Sequence, residues 1–168
     1  ARVCIVNSRG SVLYDEYVKP QERVVDYRTQ FSGITEEHLL NAKPFKTVQT
    51  EVAKMIKDKV IVGHDLRHDF KSLMFNHPSK LLRDTARYKP LLTKNKKPHK
   101  LKYLLKKLLD IEIQGDEHDP AEDARAAMLV YQFLRKDWEI QIKTSKFRKM
   151  KASEGKEGEK EKSEPKTE

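Results

Sequence analysis

The chain has 168 residues, enough for one domain with a real core, yet it is 36% charged and its mean hydropathy is −0.81. A single cysteine, Cys4, excludes an intramolecular disulfide, and no useful zinc spacing joins it to the scattered histidines. No apolar run approaches the ~20 residues that cross a bilayer. These features fit a reducing, intracellular setting with no membrane contact. The formal charge is +9, and residues 151–168, with five Lys and six Glu, contribute −1 of it, so +10 resides on residues 1–150. A polyanionic partner suits that excess, and a merely solubilising surface is the plainer alternative.

In chain order, apolar alternation predicts strands at about 1–8 and 12–19, joined by a tight turn at Arg9-Gly10 and closed by Pro20. Thr35 is placed to cap a short helix over Glu36-Glu37-His38-Leu39-Leu40. A longer helix over 45–58 turns Phe45, Val48, Val52, Met55 and Ile56 inward. Val60-Ile61-Val62 reads as a buried strand. Gly63 permits the turn into a helix on which Asp69 shares a face with Leu66 and Leu73. A short strand at 81–85 follows, with Asp84 buried and structural. After it come a lysine-rich loop near 93–99 and a helix over 100–109 with Leu101, Leu104, Leu105 and Leu108 inside. Asp119 as N-cap, Pro120 at the first helical position and Glu122 as a capping-box acid start the last helix. Its stripe runs Asp123, Ala127, Val130, Leu134, Trp138. The Lys/Glu-rich segment 141–168 is expected to be a solvated, disordered tail after a domain at 1–140. The order of elements predicts an α/β fold with a sheet flanked by helices.

Asp69 and Asp123 each sit one turn into a helix on the side expected to face inward, and buried acids are costly without a cationic partner. Paired carboxylates suit hard divalent ions such as Mg²⁺ or Mn²⁺. Two such ions about 3.5–4 Å apart activate water and stabilise the leaving oxygen of a phosphodiester. His118 lies just outside the helix bearing Asp123, and the unperturbed pKa of a histidine side chain, about 6.5, suits a general base near neutrality. The three together read as phosphodiester hydrolysis. Each has a plainer reading: a surface helical acid for Asp69, a first-turn acid favoured by the helix dipole for Asp123, and a loop histidine for His118. Asp65 is either a neighbour of the metals or a loop acid. His64, at a strand end, reads as a packed, hydrogen-bonded histidine. Tyr27 and Arg28 are candidates to clamp a terminal nucleotide, or else they stabilise a turn. Lys94, Lys96, Lys97, Lys100 and Lys102 suit a phosphate backbone, or are simply solvated.

Gly63-His64-Asp65-Leu66-Arg67-His68-Asp69-Phe70 resembles the second motif of the DEDDh 3′-to-5′ exonucleases, and His118 followed by Asp123 resembles the third. Further segments are similar to the branch holding RNA exonuclease 4 and the interferon-stimulated 20 kDa exonuclease. They are Ala1 to Asn7, Leu13-Tyr14-Asp15-Glu16-Tyr17, Asp26-Tyr27-Arg28-Thr29, Ser32-Gly33-Ile34-Thr35 and Arg83-Asp84-Thr85, with Arg87-Tyr88-Lys89-Pro90 and Trp138-Glu139 closer to RNA exonuclease 4. The resemblance covers residues 1 to about 139. It implies a ribonuclease H-like mixed sheet and two-ion hydrolysis of single-stranded RNA, with DNA as an alternative substrate, to nucleoside 5′-monophosphates. It also implies a nuclear or nucleolar setting and a part in ribosomal RNA processing.

The family's opening-strand Asp-x-Glu is expected before Ala1. Asp15-Glu16 is no substitute, because adjacent strand residues point to opposite faces. The expectation is therefore a domain lacking its first strand, with its own activity in doubt. The alternatives are a pseudo-exonuclease or inactive nucleic-acid-binding fragment, and a structural or partner-binding piece.

Overall fold

The computed structural model describes residues 1–112 and 119–160. Strands β1 (Arg2–Val6) and β2 (Val12–Lys19) form an antiparallel hairpin with Cys4 opposite Asp15 and a register shift at Ile5/Val6. The connection is a loop from Asn7 to Ser11, wider than a two-residue turn. The Asn7 side chain accepts the N–H groups of Arg9 and Ser11, and Gly10 supplies a φ of 84°. One helical turn, α1 (Thr29–Ser32), precedes α2 (Glu36–Leu40). At the start of α2, His38 Nδ1 accepts the Thr35 N–H at 3.1 Å, filling the place a capping-box Glu would take. A two-residue strand, β3 (Lys43–Pro44), pairs parallel with the end of β2 and leads into α3 (Phe45–Ile56).

Helix α3 organises the core. Its apolar stripe buries Val48, Val52 and Ile56 with Val18 of β2, and around them pack Val3 and Ile5 of β1. Ile61, Phe70 and Leu73, from the segment that carries the site, join the same cluster. Full burial of each such aliphatic side chain stabilises the fold by roughly 1.5–3 kcal/mol. Strand β4 (Ile61–Gly63) runs parallel to β5 (Leu82–Asp84), with α4 (Leu66–Ser72) between them in sequence. The sequence predicts one mixed sheet. Among the described residues the ladders form two, β1-β2-β3 and β4-β5, joined through the α3 core and by no strand-to-strand hydrogen bonds.

Helix α5 (Leu101–Leu109) buries Leu104 and Leu105, and Leu101 and Leu108 are half-buried. Helix α6 (Pro120–Lys160) continues through 141–160, the stretch expected to be an unstructured tail; its Lys, Glu, Ala and Met residues are good helix formers. Two compact units divide the chain, Ala1–Gln132 and Phe133–Glu168, so the division, like the expected boundary at 140, falls within α6. Along the predicted stripe, Ala127, Val130 and Trp138 are buried and Leu134 half-buried. Among the described residues no helix is long and apolar enough to cross a membrane.

Candidate active site

The site is built around the turn from β4 into α4. Gly63 is not the residue that reverses the chain. Asp65 is, with φ 65° and ψ 43°, a left-handed conformation that Asp tolerates better than most residues. Gly63 is needed for space: a Cβ there would lie 2.3 Å from Leu66 Cδ2, and Leu66 is buried. The strained turn is braced from β5. Buried Asp84 accepts the Asp65 N–H at 2.8 Å and the Ala86 N–H at 3.0 Å through Oδ1. Asp84 therefore acts on main chain, while the Arg83 guanidinium turns to the carbonyls of Lys80 and Leu82.

His64 is hydrogen-bonded, as its place at a strand end suggests. Its Nδ1 lies 2.9 Å from Thr85 Oγ1, and that hydroxyl donates to the Gly63 carbonyl at 3.0 Å. The His99 main chain also bears on the ring, favouring its charged form. Burial lowers the His64 pKa below the ordinary histidine value, against the opposing charges of Asp84, Asp65 and Asp123. Asp69, expected to face inward, is exposed, because a carboxylate is far harder to desolvate than the leucines beside it. The surrounding protein still raises its pKa, and the charges of Asp65 and Asp84 push the same way. Asp65 Oδ2 lies 3.2 Å from His68 Nε2.

Asp65 and Asp84 thus act electrostatically on both Asp69 and His64, and Asp123 acts on His64 from the first turn of α6. Asp123 is half-buried. The start of its helix is fixed by Asp119, which caps the Ala121 N–H at 3.2 Å, while Glu122 is exposed. Arg2 of β1 ties that cap to the hairpin: it holds Asp15 through two hydrogen bonds of 2.7 and 2.6 Å and reaches Asp119 at 3.2 Å. A lone arginine opening an apolar strand was the available signal for this tie. His118 lies outside the described residues.

Tyr27 and Arg28 stand in a separately braced loop. Arg28 is left-handed (φ 50°), its N–H donates to Asp26, and its guanidinium lies over the Phe31 ring at 5.3 Å. The Tyr27 carbonyl accepts the Ser32 hydroxyl. Among the described residues, no ion pair or hydrogen bond joins either to the acids.

Asp69, whose charged form is disfavoured by its surroundings and by the charges of Asp65 and Asp84, has the oxygen-donor chemistry that a divalent cation neutralises. The set is incomplete: among the described residues no three His, Cys, Asp or Glu side chains are grouped closely enough to hold a metal ion.

The family model described as "Exonuclease" matches residues 1–131. The chain belongs to the exonuclease family. RNA exonuclease 4 of Xenopus laevis is 46% identical over 144 residues, covering 85% of this chain and 34% of that protein. RNA exonuclease 4 of Saccharomyces cerevisiae is 47% identical over 142 residues, covering 83% of this chain and 49% of that protein. The chain thus spans between a third and a half of the length of these relatives. Among solved structures, the Saccharomyces cerevisiae Pan2 pseudoubiquitin hydrolase-RNA exonuclease module in complex with AAGGAA RNA superimposes with a TM-score of 0.71 at 28% identity. It covers 92% of this chain and 28% of that one. The fold is that of the ribonuclease H-like exonucleases.

Proposed function

We propose that this chain is the nuclease domain of a 3′-to-5′ exonuclease that shortens single-stranded RNA by releasing nucleoside 5′-monophosphates. The observation that carries the reading is that Asp65 and Asp84 bear electrostatically on both Asp69 and His64, and Asp123 on His64, in a member of the exonuclease family. The RNA bound to a neighbour of the same fold and the RNA exonuclease 4 relatives support RNA as substrate, with DNA the alternative. A nuclear or nucleolar setting and ribosomal RNA processing belong to this same proposal.

Asp69 and Asp123 are the residues proposed to hold Mg²⁺ or Mn²⁺, two ions in the intact enzyme, and such ions would supply charge neutralisation at the scissile phosphate. His118, five positions before Asp123, takes the proton of the attacking water. As water adds to phosphorus, the bond to the 3′-oxygen of the penultimate nucleotide breaks and that oxygen takes up a proton. Asp84 and His64 keep the Asp65 turn in place, which sets where α4 presents Asp69. Tyr27 and Arg28, with Asp65, are the proposed contacts to the terminal nucleotide.

The test is an assay on RNA labelled at either end, using the full-length protein. Immediate release of a 3′-label as mononucleotide, with stepwise shortening of 5′-labelled RNA, supports the reading. A 5′-label released first, or internal cuts, contradicts it. The incomplete ligand set among the described residues favours a second reading, an inactive RNA-binding module, for which the same assay shows binding and no product.

A further inference from the structure

A dense run of positive charge follows β5 in the chain. Between Thr93 and Leu109 there are seven lysines and no acidic residue. A lysine-rich stretch of this kind is often only solvated, but here its conformation is fixed. The Thr93 N–H donates to the Lys97 carbonyl at 2.9 Å, the Lys97 N–H returns to Thr93 Oγ1 at 3.0 Å, and Lys96 takes a left-handed φ of 59°. A bridge between Leu92 and Pro98 closes the loop. The loop holds Lys94, Lys96 and Lys97 exposed on one short, rigid segment, and Lys100 follows at the start of α5.

Two further features separate this surface from a generic basic face. The His99 and Tyr103 rings stack with centroids 4.4 Å apart, and Tyr103 remains 46% exposed with Lys107 Nζ 5.7 Å from its ring centroid. His99, between Lys97 and Lys100, also lies close enough to the site for its main chain to act on the His64 ring. Not every lysine is available: Lys106 is taken up by Asp110 and Glu112, each at 2.8 Å.

We propose that this loop and the first turn of α5 bind the single-stranded RNA segment lying 5′ of the terminal nucleotide. Lys94, Lys96, Lys97 and Lys100 contact phosphates, and the His99–Tyr103 pair stacks against an unpaired base. The proposal rests on the reading that the chain acts on RNA. Cationic side chains set beside a stacked aromatic pair are how single strands are held without regard to sequence. A surface for an acidic peptide would have no use for the ring stack.

The experiment is fluorescence anisotropy of the 168-residue chain in EDTA with labelled oligouridylates of 4 and 15 nucleotides. The variants are Lys94→Glu/Lys97→Glu/Lys100→Glu, Tyr103→Ala and Lys106→Ala, with circular dichroism as the folding control. For the 15-mer, the triple variant is expected to lose about tenfold or more in affinity and to flatten the log–log salt slope by about 2. Tyr103→Ala loses about fivefold or more with the slope unchanged. The 4-mer and Lys106→Ala show little effect. Equal binding of the 15-mer by all variants, or no binding by the unmodified chain, overturns the proposal. Poly-glutamate binding that is lost in the same variants, Tyr103→Ala included, overturns it in favour of an acidic partner. Cleavage by the full-length protein is scored separately, so loss of this surface and loss of the exonuclease reading are distinguishable.

Discussion

Asp84 Oδ1 accepts the main-chain N–H of Asp65 at 2.8 Å, so a buried acid on β5 holds the left-handed turn from which α4 carries Asp69 toward the site. Asp84→Ala leaves two N–H donors, the part-buried one of Asp65 and the buried one of Ala86, without that acceptor. A loss of about 1–3 kcal/mol in urea unfolding is expected, with a fall in activity at temperatures where the variant is still folded. An unchanged urea midpoint would show that the brace carries no weight.

Gly63 and Leu66 form a second coupled pair. Gly63→Ala drives a Cβ into the Leu66 side chain and is expected to destabilise by about 1–3 kcal/mol. In the double variant with Leu66→Ala much of the clash disappears, so the two losses sum to more than the loss measured together. Strict additivity in the cycle would argue that backbone conformation, and not space, demands the glycine.

Ionised Asp69 is a burden on the fold. Its folded pKa is raised above the ordinary carboxylate value, so the native state holds its proton more tightly than the unfolded chain. Stability from this group is present below the ordinary carboxylate range and declines as pH rises through the folded pKa. Asp69→Asn removes that decline. The variant should melt higher than the parent at pH 7 in EDTA, and the gain should vanish near pH 3, as read by thermal scans across that range.

Arg2 and Asp15 run in the opposite direction. The Arg2 hydrogen bond lowers the Asp15 pKa, so this pair contributes above the ordinary carboxylate range and fades as pH falls through the depressed value. Both side chains are partly solvated, so Arg2→Ala is expected to cost about 1 kcal/mol or less at pH 7 and nothing near pH 2. A loss independent of pH would assign the effect to packing of the Arg2 stem on Tyr17, 5.6 Å from its guanidinium.

How much of this was legible beforehand differs by element. The stripes of α3 and α5 and the cap at Asp119 follow from residue spacing, and the structure has them within a residue or two at most ends. The two-residue β3 carries no periodicity to read, and its pairing is set by where α3 packs. The turn before α4 was misassigned because glycine is the usual left-handed residue, whereas a neighbouring side chain, invisible in sequence, decides the matter at Gly63. Asp69 follows the stripe of Leu66 in register but not in depth, since spacing fixes direction and solvation fixes exposure. The ties of Arg2 to Asp119 and of His64 to Thr85 span many residues and emerge only from the packed chain.

The central claim is that the carboxylates at 69 and 123 serve metal-dependent cleavage of RNA. Its most direct measurement is the rate of nucleoside 5′-monophosphate release by the full-length protein against Mg²⁺ concentration, for the parent and for Asp123→Asn. The expected result is saturable Mg²⁺ dependence in the parent and a rate at least about a hundredfold lower in the variant, a loss of roughly 2.7 kcal/mol in transition-state stabilisation. Near-parental turnover by Asp123→Asn, or release undiminished in EDTA, would contradict it.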